Sequence, residues 1–184
     1  MNRIISLTIV LLSAAPILGD DLPAPSGAVV PAGAKLEKLF TRTAKLRDGL
    51  TEGPACAPDG SIYFSDIPVG PDKGLIMRFD PKTKQTTVFA EDSRKSNGLK
   101  FDAKGRLVAC EGSDGGGRAV AAYDLDTKKR TVLADSYMGK RFNACNDLVI
   151  DHKGRIYFSD PRYLGPEKRE LEYMAVYRDR KSVV

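Results

Sequence analysis

CNDLVIDHKGRIYFSDP, residues 145–161, is two short strands around a reversal. Leu148 to Asp151 is rich in β-branched residues, His152-Lys153-Gly154 supplies the turn, and Ile156 to Ser159 is apolar and aromatic. Such a pattern predicts a β-hairpin. The same arrangement occurs twice earlier, as EGPACAPDGSIYFSDI (Glu52 to Ile67) and as NGLKFDAKGRLVACEG (Asn97 to Gly112). Aligned on Gly60, Gly105 and Gly154, the copies stand 45 and 49 residues apart.

A second hairpin follows each of the first two. IMRFDPKTKQTTVFA (Ile76 to Ala90) and AVAAYDLDTKKRTVLA (Ala119 to Ala134) each read strand, polar turn, strand, and AVYR (Ala175 to Arg178) starts a third. Two hairpins make a four-stranded unit of roughly 45 residues, the length of one propeller blade, and the 3.6-residue period of a helical repeat is missing. The chain is therefore expected to be all-β: a β-propeller of about three blades of four-stranded antiparallel sheet.

The repeat also predicts where chemistry collects. Glu52, Asn97 and Asn146 each stand eight residues before a turn glycine, at the entrance to the first strand of a blade. In a propeller that strand lines the central channel, so matched positions point at one axis. A ring of carboxylate and amide oxygens suits a hard cation such as Ca²⁺ or Mg²⁺. The plainer reading makes Glu-Gly, Asn-Gly and Asn-Asp ordinary turn residues ahead of a strand. Repetition at one register, with an acid among the three, favours the ring.

Glu52-Gly53-Pro54, NGLKFDAKGRLVACE and GKRFNACNDLVIDHKGRIYFSDPRY resemble motifs of the SMP-30/gluconolactonase family, in the family's order, over about Leu50 to Arg178. That resemblance implies a six-bladed propeller holding one divalent metal at the channel mouth and hydrolysing sugar lactones. It implies Glu52 as a metal ligand and Asn146 as a ligand or substrate contact, with Ca²⁺ expected and Mg²⁺, Mn²⁺ or Zn²⁺ as alternatives. Two further ligands of the family, an Asn and an Asp from later blades, have no counterpart before Val184. Asn97, Arg141 and Asn143 are expected to contact substrate, the arginine through charge-assisted hydrogen bonds. No general base is assigned.

Three blades fall short of the family's six, so the expectation is an incomplete ring with little or no activity, either a fragment or the product of a frameshift or early stop. DRKSVV, after Arg178, lacks the polar turn and strand of earlier copies. Assembly of half-rings is the less favoured route to burying the open faces, and the oligomeric state stays open. A non-catalytic secreted propeller binding a polysaccharide or a protein is the rival function, because fold does not fix function.

Upstream, Met1 to Gly19 carries Arg3, the run IISLTIVLL and small residues before Asp20-Asp21, as a secretory signal peptide does. Its apolar core is short for a membrane span. Export to the periplasm or beyond follows as an expectation, without stable membrane insertion after signal removal. Residues 20–35, rich in Pro, Ala and Gly, read as a flexible leader, and 36–184 as the partial propeller. Within the latter, Leu36 to Leu46 reads as a strand or a short amphipathic helix.

With 42% hydrophobic residues the chain can form a core, and its charges, 29 basic against 24 acidic, gather in turns such as Pro81 to Lys84 and Asp126 to Arg130. Cations scattered over separate turns, without a recognition motif, argue against a nucleic-acid partner. Cys56 and Cys110 read as buried strand thiols, and Cys145 as a thiol near the channel mouth. One histidine, His152, excludes a multi-histidine zinc site and leaves a Cys-His or Ser-His-Asp mechanism without support. Gly115-Gly116-Gly117 lacks the Lys-Ser/Thr of a phosphate loop and reads as a flexible connection. Asp124, Asp126 and Thr127 lack the glycine and glutamate of a calcium loop and read as a turn. Asp66 and Asp160 read as strand caps.

Overall fold

A computed structural model of the chain describes residues 33–42, 49–163 and 165–179. The expected signal peptide and nearly all of the expected leader lie outside the described residues. The chain divides into two units, 1–38 and 39–184. Of the first, the described residues hold a turn at Gly33 and no regular element; every strand among the described residues belongs to the second.

The first sheet is β1 (Gly49–Cys56), β2 (Ile62–Pro68), β3 (Leu75–Asp80) and β4 (Gln85–Ala90), and the second is β5 (Ser96–Phe101), β6 (Leu107–Glu111), β7 (Ala119–Tyr123) and β8 (Arg130–Ala134). Both are antiparallel meanders paired in chain order. A small ribbon, β9 (Ser136–Tyr137) with β10 (Lys140–Arg141), leads into a third sheet of β11 (Leu148–Ile150), β12 (Ile156–Asp160) and β13 (Ala175–Arg178). The architecture is all-β and propeller-type, as the repeat predicts. The third blade has three strands among the described residues rather than four.

The repeated turns are built identically. Gly60, Gly105 and Gly154 donate their N–H groups to the carbonyls of Ala57, Asp102 and Asp151, three residues back, at 2.9, 3.0 and 2.9 Å. Each glycine has a positive φ, between 75° and 86°, which closes a tight turn into the next strand without the strain a side chain would add. In the second and third copies the turn aspartate also accepts from the backbone two and four residues on, and binds Arg106 or Arg155.

Two apolar layers separate the three sheets. Tyr63, Ile76 and Phe89 of the first blade meet Leu99, Leu107, Ala109, Ala121 and Tyr123 of the second. Val108, Cys110, Val120 and Ala122, from the opposite face of the second blade, meet Phe142, Cys145, Ile156, Phe158 and Leu171. Every residue of β6 and β7 is buried. Unbroken apolar runs such as LVAC and AVAAY suit strands covered on both faces, and their small residues let both neighbours approach.

Four sequence expectations change. Residues 36–42 form neither strand nor helix, while 43–46 lie outside the described residues. Instead Phe40 packs edge-on against Phe64, centroids 5.2 Å apart, and Arg42 binds the buried Asp66 at 2.5 Å. Asp66 is thereby a buried ion-pair partner rather than a strand cap, since β2 runs on to Pro68. Cys56 is exposed, because it sits at the outer end of β1, whereas Cys110 is buried. The Gly115–Gly117 loop is pinned rather than loose: Gly117 N–H donates to Arg94 O, Arg118 N–H to Gly112 O, and Gly115 N–H to the Glu167 carboxylate.

Candidate metal and substrate cavity

Glu52, Asn97 and Asn146 are brought together. All three line a cavity of about 670 Å³ and also a neighbouring one of about 360 Å³. Two of them stand at breaks in their ladders, where the pairing of β1 with β2 slips between Glu52 and Ala55 and that of β5 with β6 slips between Ser96 and Leu99. A bulge re-aims side chains that a regular strand would alternate across its faces. Asn146 precedes β11 and is fixed by its N–H to Ser159 O at 3.0 Å.

Glycines permit the close approach of the inner strands. A Cβ on Gly53 would stand 2.2 Å from Asn97 O, and one on Gly98 would stand 2.3 Å from Asp147 Oδ1 and 2.8 Å from Asp147 Cα. Gly98 N–H donates to Asn146 O at 2.7 Å, tying β5 directly to the approach to β11. Asn97 O accepts from Ser65 Oγ at 2.8 Å, which ties β5 to the first blade. So the glycines after Glu52 and Asn97 are where one blade leans on the next.

Among the described residues, the side chains of Glu52, Asn97 and Asn146 make no hydrogen bond or ion pair. They offer one carboxylate and two amide oxygens to the shared space, a donor set that fits part of the shell of a hard divalent cation, which takes six to eight oxygens. No cluster of three or more His, Cys, Asp or Glu exists among the described residues, so a soft or histidine-rich site is not formed there.

The other two sequence candidates lie elsewhere. Asn143 is fully buried; its backbone N–H and Nδ2 both donate to Asp160 Oδ2, at 2.8 and 3.0 Å, and Nδ2 also reaches Tyr173 O. It shapes the loop ahead of Asn146 and lines neither cavity. Asp160, accepting from Ala144 N–H as well, caps that loop. Burial is the larger influence on Asp160 and raises its pKa despite these bonds. Arg141 is exposed on the β9–β10 ribbon, where Nη2 donates to Gly117 O at 2.7 Å. It lines neither cavity.

In their place the larger cavity gains Lys95, Asp114, Arg162 and Tyr163, with Leu50, Ile67, Val69, Ala144 and Cys145 as apolar lining. Lys95 Nζ, almost wholly buried, donates to Asp114 Oδ2 at 2.8 Å and to Gly70 O. Arg162 and Tyr163 stand inside the quoted string as PRY, but nothing in their spacing marks a role. Lys95 is reached only because the backbone turns through a positive φ at Arg94 and Lys95. Burial, with Cys110, Asp160 and Glu111 adding to it, holds the Cys145 thiol well above its ordinary range. A neutral thiol, with His152 exposed in the β11–β12 turn, is a poor nucleophile. Asp147 joins the three ring residues in the smaller cavity; its Oδ1 accepts from Leu148 N–H at 2.8 Å.

Comparison with known proteins extends this picture. A family model described as the SMP-30/gluconolactonase/LRE-like region matches residues 50–182. A gluconolactonase of Zymomonas mobilis is 33% identical over 142 residues, 70% of this chain and 39% of the relative. A lactonohydrolase of Aspergillus oryzae is 30% identical over 133 residues, 66% of this chain and 30% of the relative. Among solved structures, a gluconolactonase from Xanthomonas campestris superposes with a TM-score of 0.61 at 32% identity, covering 71% of this chain and 43% of that one. A second, a putative gluconolactonase, gives 0.67 at 26% identity, with 81% and 50% covered. The chain spans less than half the length of the curated relatives it matches.

Proposed function

We propose a function from one premise: this chain belongs to the SMP-30/gluconolactonase/LRE-like family. The reading is a metal-dependent hydrolase that opens sugar lactones, with the chain supplying the Glu52, Asn97 and Asn146 part of its site. What carries the reading is the meeting of these three unpaired oxygen-bearing side chains on shared cavities, from three successive blades.

Glu52 would hold a divalent cation, Ca²⁺ in the first instance, as its charged ligand, and Asn146 would add a neutral oxygen. When bound, the ion would polarise a lactone carbonyl and stabilise the negative charge that develops on it. Asn97 is positioned to accept from, or donate to, a ring hydroxyl. The carboxylate this chain offers for taking a proton from attacking water is Asp147, whose Oδ2 is left free by the bond at Oδ1. The apolar side of the larger cavity, Leu50, Ile67 and Val69, would cover the C–H face of a sugar ring. Export through an N-terminal signal is part of the same proposal and rests on the sequence of residues 1–19.

The test is lactone opening followed with a pH indicator, using gluconolactone with and without added Ca²⁺, Mg²⁺, Mn²⁺ or Zn²⁺, in parallel with calorimetric titration of each metal. Glu52→Gln is expected to weaken metal binding by at least about tenfold, since it removes the site's charged ligand. It should also abolish any metal-dependent hydrolysis. Equal metal binding by the variant and the parent would overturn the assignment.

A further inference from the structure

A blade turns one face to the blade before it and the other to the blade after it, and the strand register says which side chains stand on each. On the face that the first blade turns to the second are Tyr63 and Ser65 of β2, with Ala55 of β1 opposite Tyr63 and Ile76 of β3 opposite Ser65. All four are buried. The third blade repeats this face place for place: Tyr157 and Ser159 of β12, with Val149 of β11 opposite Tyr157 and Val176 of β13 opposite Ser159. Even the arginines match, Arg78 and Arg178 each standing opposite the tyrosine. Among the described residues no further blade follows, and the face lies open: Val149 is 56% exposed and Val176 72%, against 6% for Ala55 and 0% for Ile76.

The far side of the first blade carries the counterpart. Ile62 and Phe64 stand at the same offsets from Gly60 as Ile156 and Phe158 from Gly154. In the third blade those two are buried against the second; in the first, with no blade before it among the described residues, they are only half-covered. Met77 and Phe79, opposite them on β3, are buried, and Phe40 packs on Phe64, yet Leu39 beside it stays 45% exposed. The arc therefore presents two unlike apolar faces, and they repeat the two halves of a contact that it already makes internally. Sheets bearing such faces bury them by stacking.

We infer that a second copy of this chain docks head to tail, the face of Val149, Tyr157 and Val176 in each copy meeting the face of Leu39, Phe40 and Phe64 in the other, so that two arcs close one ring. Half-ring assembly, the less favoured route on sequence alone, gains its argument from the matched faces: the open one repeats a face that already receives a blade. Two copies suffice, because the chain covers 43% and 50% of the two solved gluconolactonases on which it superposes. Contacts between unlike faces close into a ring when their rotations complete a turn and run on as open chains when they do not. Closure also bears on the cavity. The second copy would bring its own Glu52, Asn97 and Asn146 to the common axis, where one copy offers three oxygen-bearing side chains to an ion that takes six to eight oxygens. Only this last consequence rests on the metal reading.

The experiment is sedimentation velocity on the full chain, with no metal added, up to a concentration of about 10 μM, where a specific interface of ordinary strength is formed. Twice the chain mass is expected, with no larger species. A monomer throughout, or a ladder of larger species, would overturn the closed pair. Val176→Glu and Leu39→Glu each put a charge on one of the two faces and should each raise the dissociation constant by at least about tenfold, since an unpaired charge opposes burial. An equimolar mixture of the two variants keeps one unaltered contact per pair and should associate more tightly than either variant alone. Loss of association in Val176→Glu with none in Leu39→Glu would mean that like faces pair through the third blade, and would overturn the head-to-tail arrangement. Both side chains are exposed, so neither substitution removes a core contact, and circular dichroism checks the fold. Should a variant not fold, the mass of the unaltered chain against concentration decides between pair and monomer. Because no metal and no turnover are involved, a failed hydrolysis assay leaves this result standing, and a monomeric chain leaves Glu52 and its metal test untouched.

Discussion

Residues 62–66 and 156–160 are the same pentapeptide, IYFSD, and they bury opposite faces. In the first blade Tyr63 and Ser65 are buried while Ile62 and Phe64 are half-covered; in the third, Ile156 and Phe158 are buried while Tyr157 and Ser159 are half-covered. The reason is the second blade. It lies against the Tyr63 face of one copy and against the Phe158 face of the other. A strand with usable apolar groups on both faces does not choose its own inside; its neighbour does. The aspartate that closes the pentapeptide is buried in both, yet Asp66 meets the Arg42 guanidinium and Asp160 meets two backbone N–H groups and an amide.

The sharpest way to break this comparison is to truncate matched side chains in pairs. Phe158→Ala should cost about 4 kcal/mol and Phe64→Ala about half of that, because only the first removes a fully enclosed ring. At the neighbouring position the order should reverse. Tyr63→Ala, which strips contacts with Phe89 and Phe101 at 5.1 and 5.4 Å, should cost about 3 kcal/mol, against about 1 kcal/mol for Tyr157→Ala. Urea unfolding of the four variants measures this, and equal losses within each pair would mean that the neighbouring blade does not select the buried face.

A smaller effect probes the spacing that makes the selection possible. Gly98→Ala forces a methyl group against Asp147, backbone as well as side chain, and should destabilise the chain by about 2 kcal/mol. The same denaturation experiment reads the loss, and metal titration should weaken with it, since Asn97 lies on β5 and Asn146 on the approach to β11, the two segments being pushed apart. A neutral outcome would show that the second and third blades have slack between their inner strands.

The smallest signal separates two acids of the third blade by pH. Burial raises the Asp160 pKa above the ordinary aspartate value of 3.8, whereas Asp151 is drawn down to about 2: desolvation at that turn is outweighed by bonds from the Arg155 backbone and guanidinium and from the Lys153 backbone. The signs are opposite. The contribution of Asp160 is complete below the unfolded value and is lost as pH rises through its raised midpoint. That of Asp151 is complete above the unfolded value and is lost as pH falls toward 2. Carboxyl carbon shifts followed by NMR should place the two midpoints on opposite sides of 3.8, and a shared midpoint would contradict the burial of Asp160.

Much of the site could be read before folding because the repeat supplies a register. Glu52, Asn97 and Asn146 share an offset from their turn glycines, and matched offsets in stacked blades converge. Arg141 and Asn143 lie only five and three residues before Asn146 in the chain, but loops obey no such register. Asn143 is drawn into the interior by Asp160, and Arg141 is carried away on a ribbon. Lys95 and Arg162 carried no signal, since each reaches the cavity through a loop whose path depends on another blade.

Sequence alone determined most of the strands, their turns, the blade repeat and the register position whose oxygen-bearing side chains meet on the cavity. All of these depend on interactions within about ten residues or on a periodicity that repeats. Tertiary structure alone decided which face of IYFSD is inside, which of the nearby polar residues reach the cavity, and that a buried lysine and an arginine stand on its wall. Those outcomes depend on what packs against a segment from the next blade, and no local pattern encodes the neighbour.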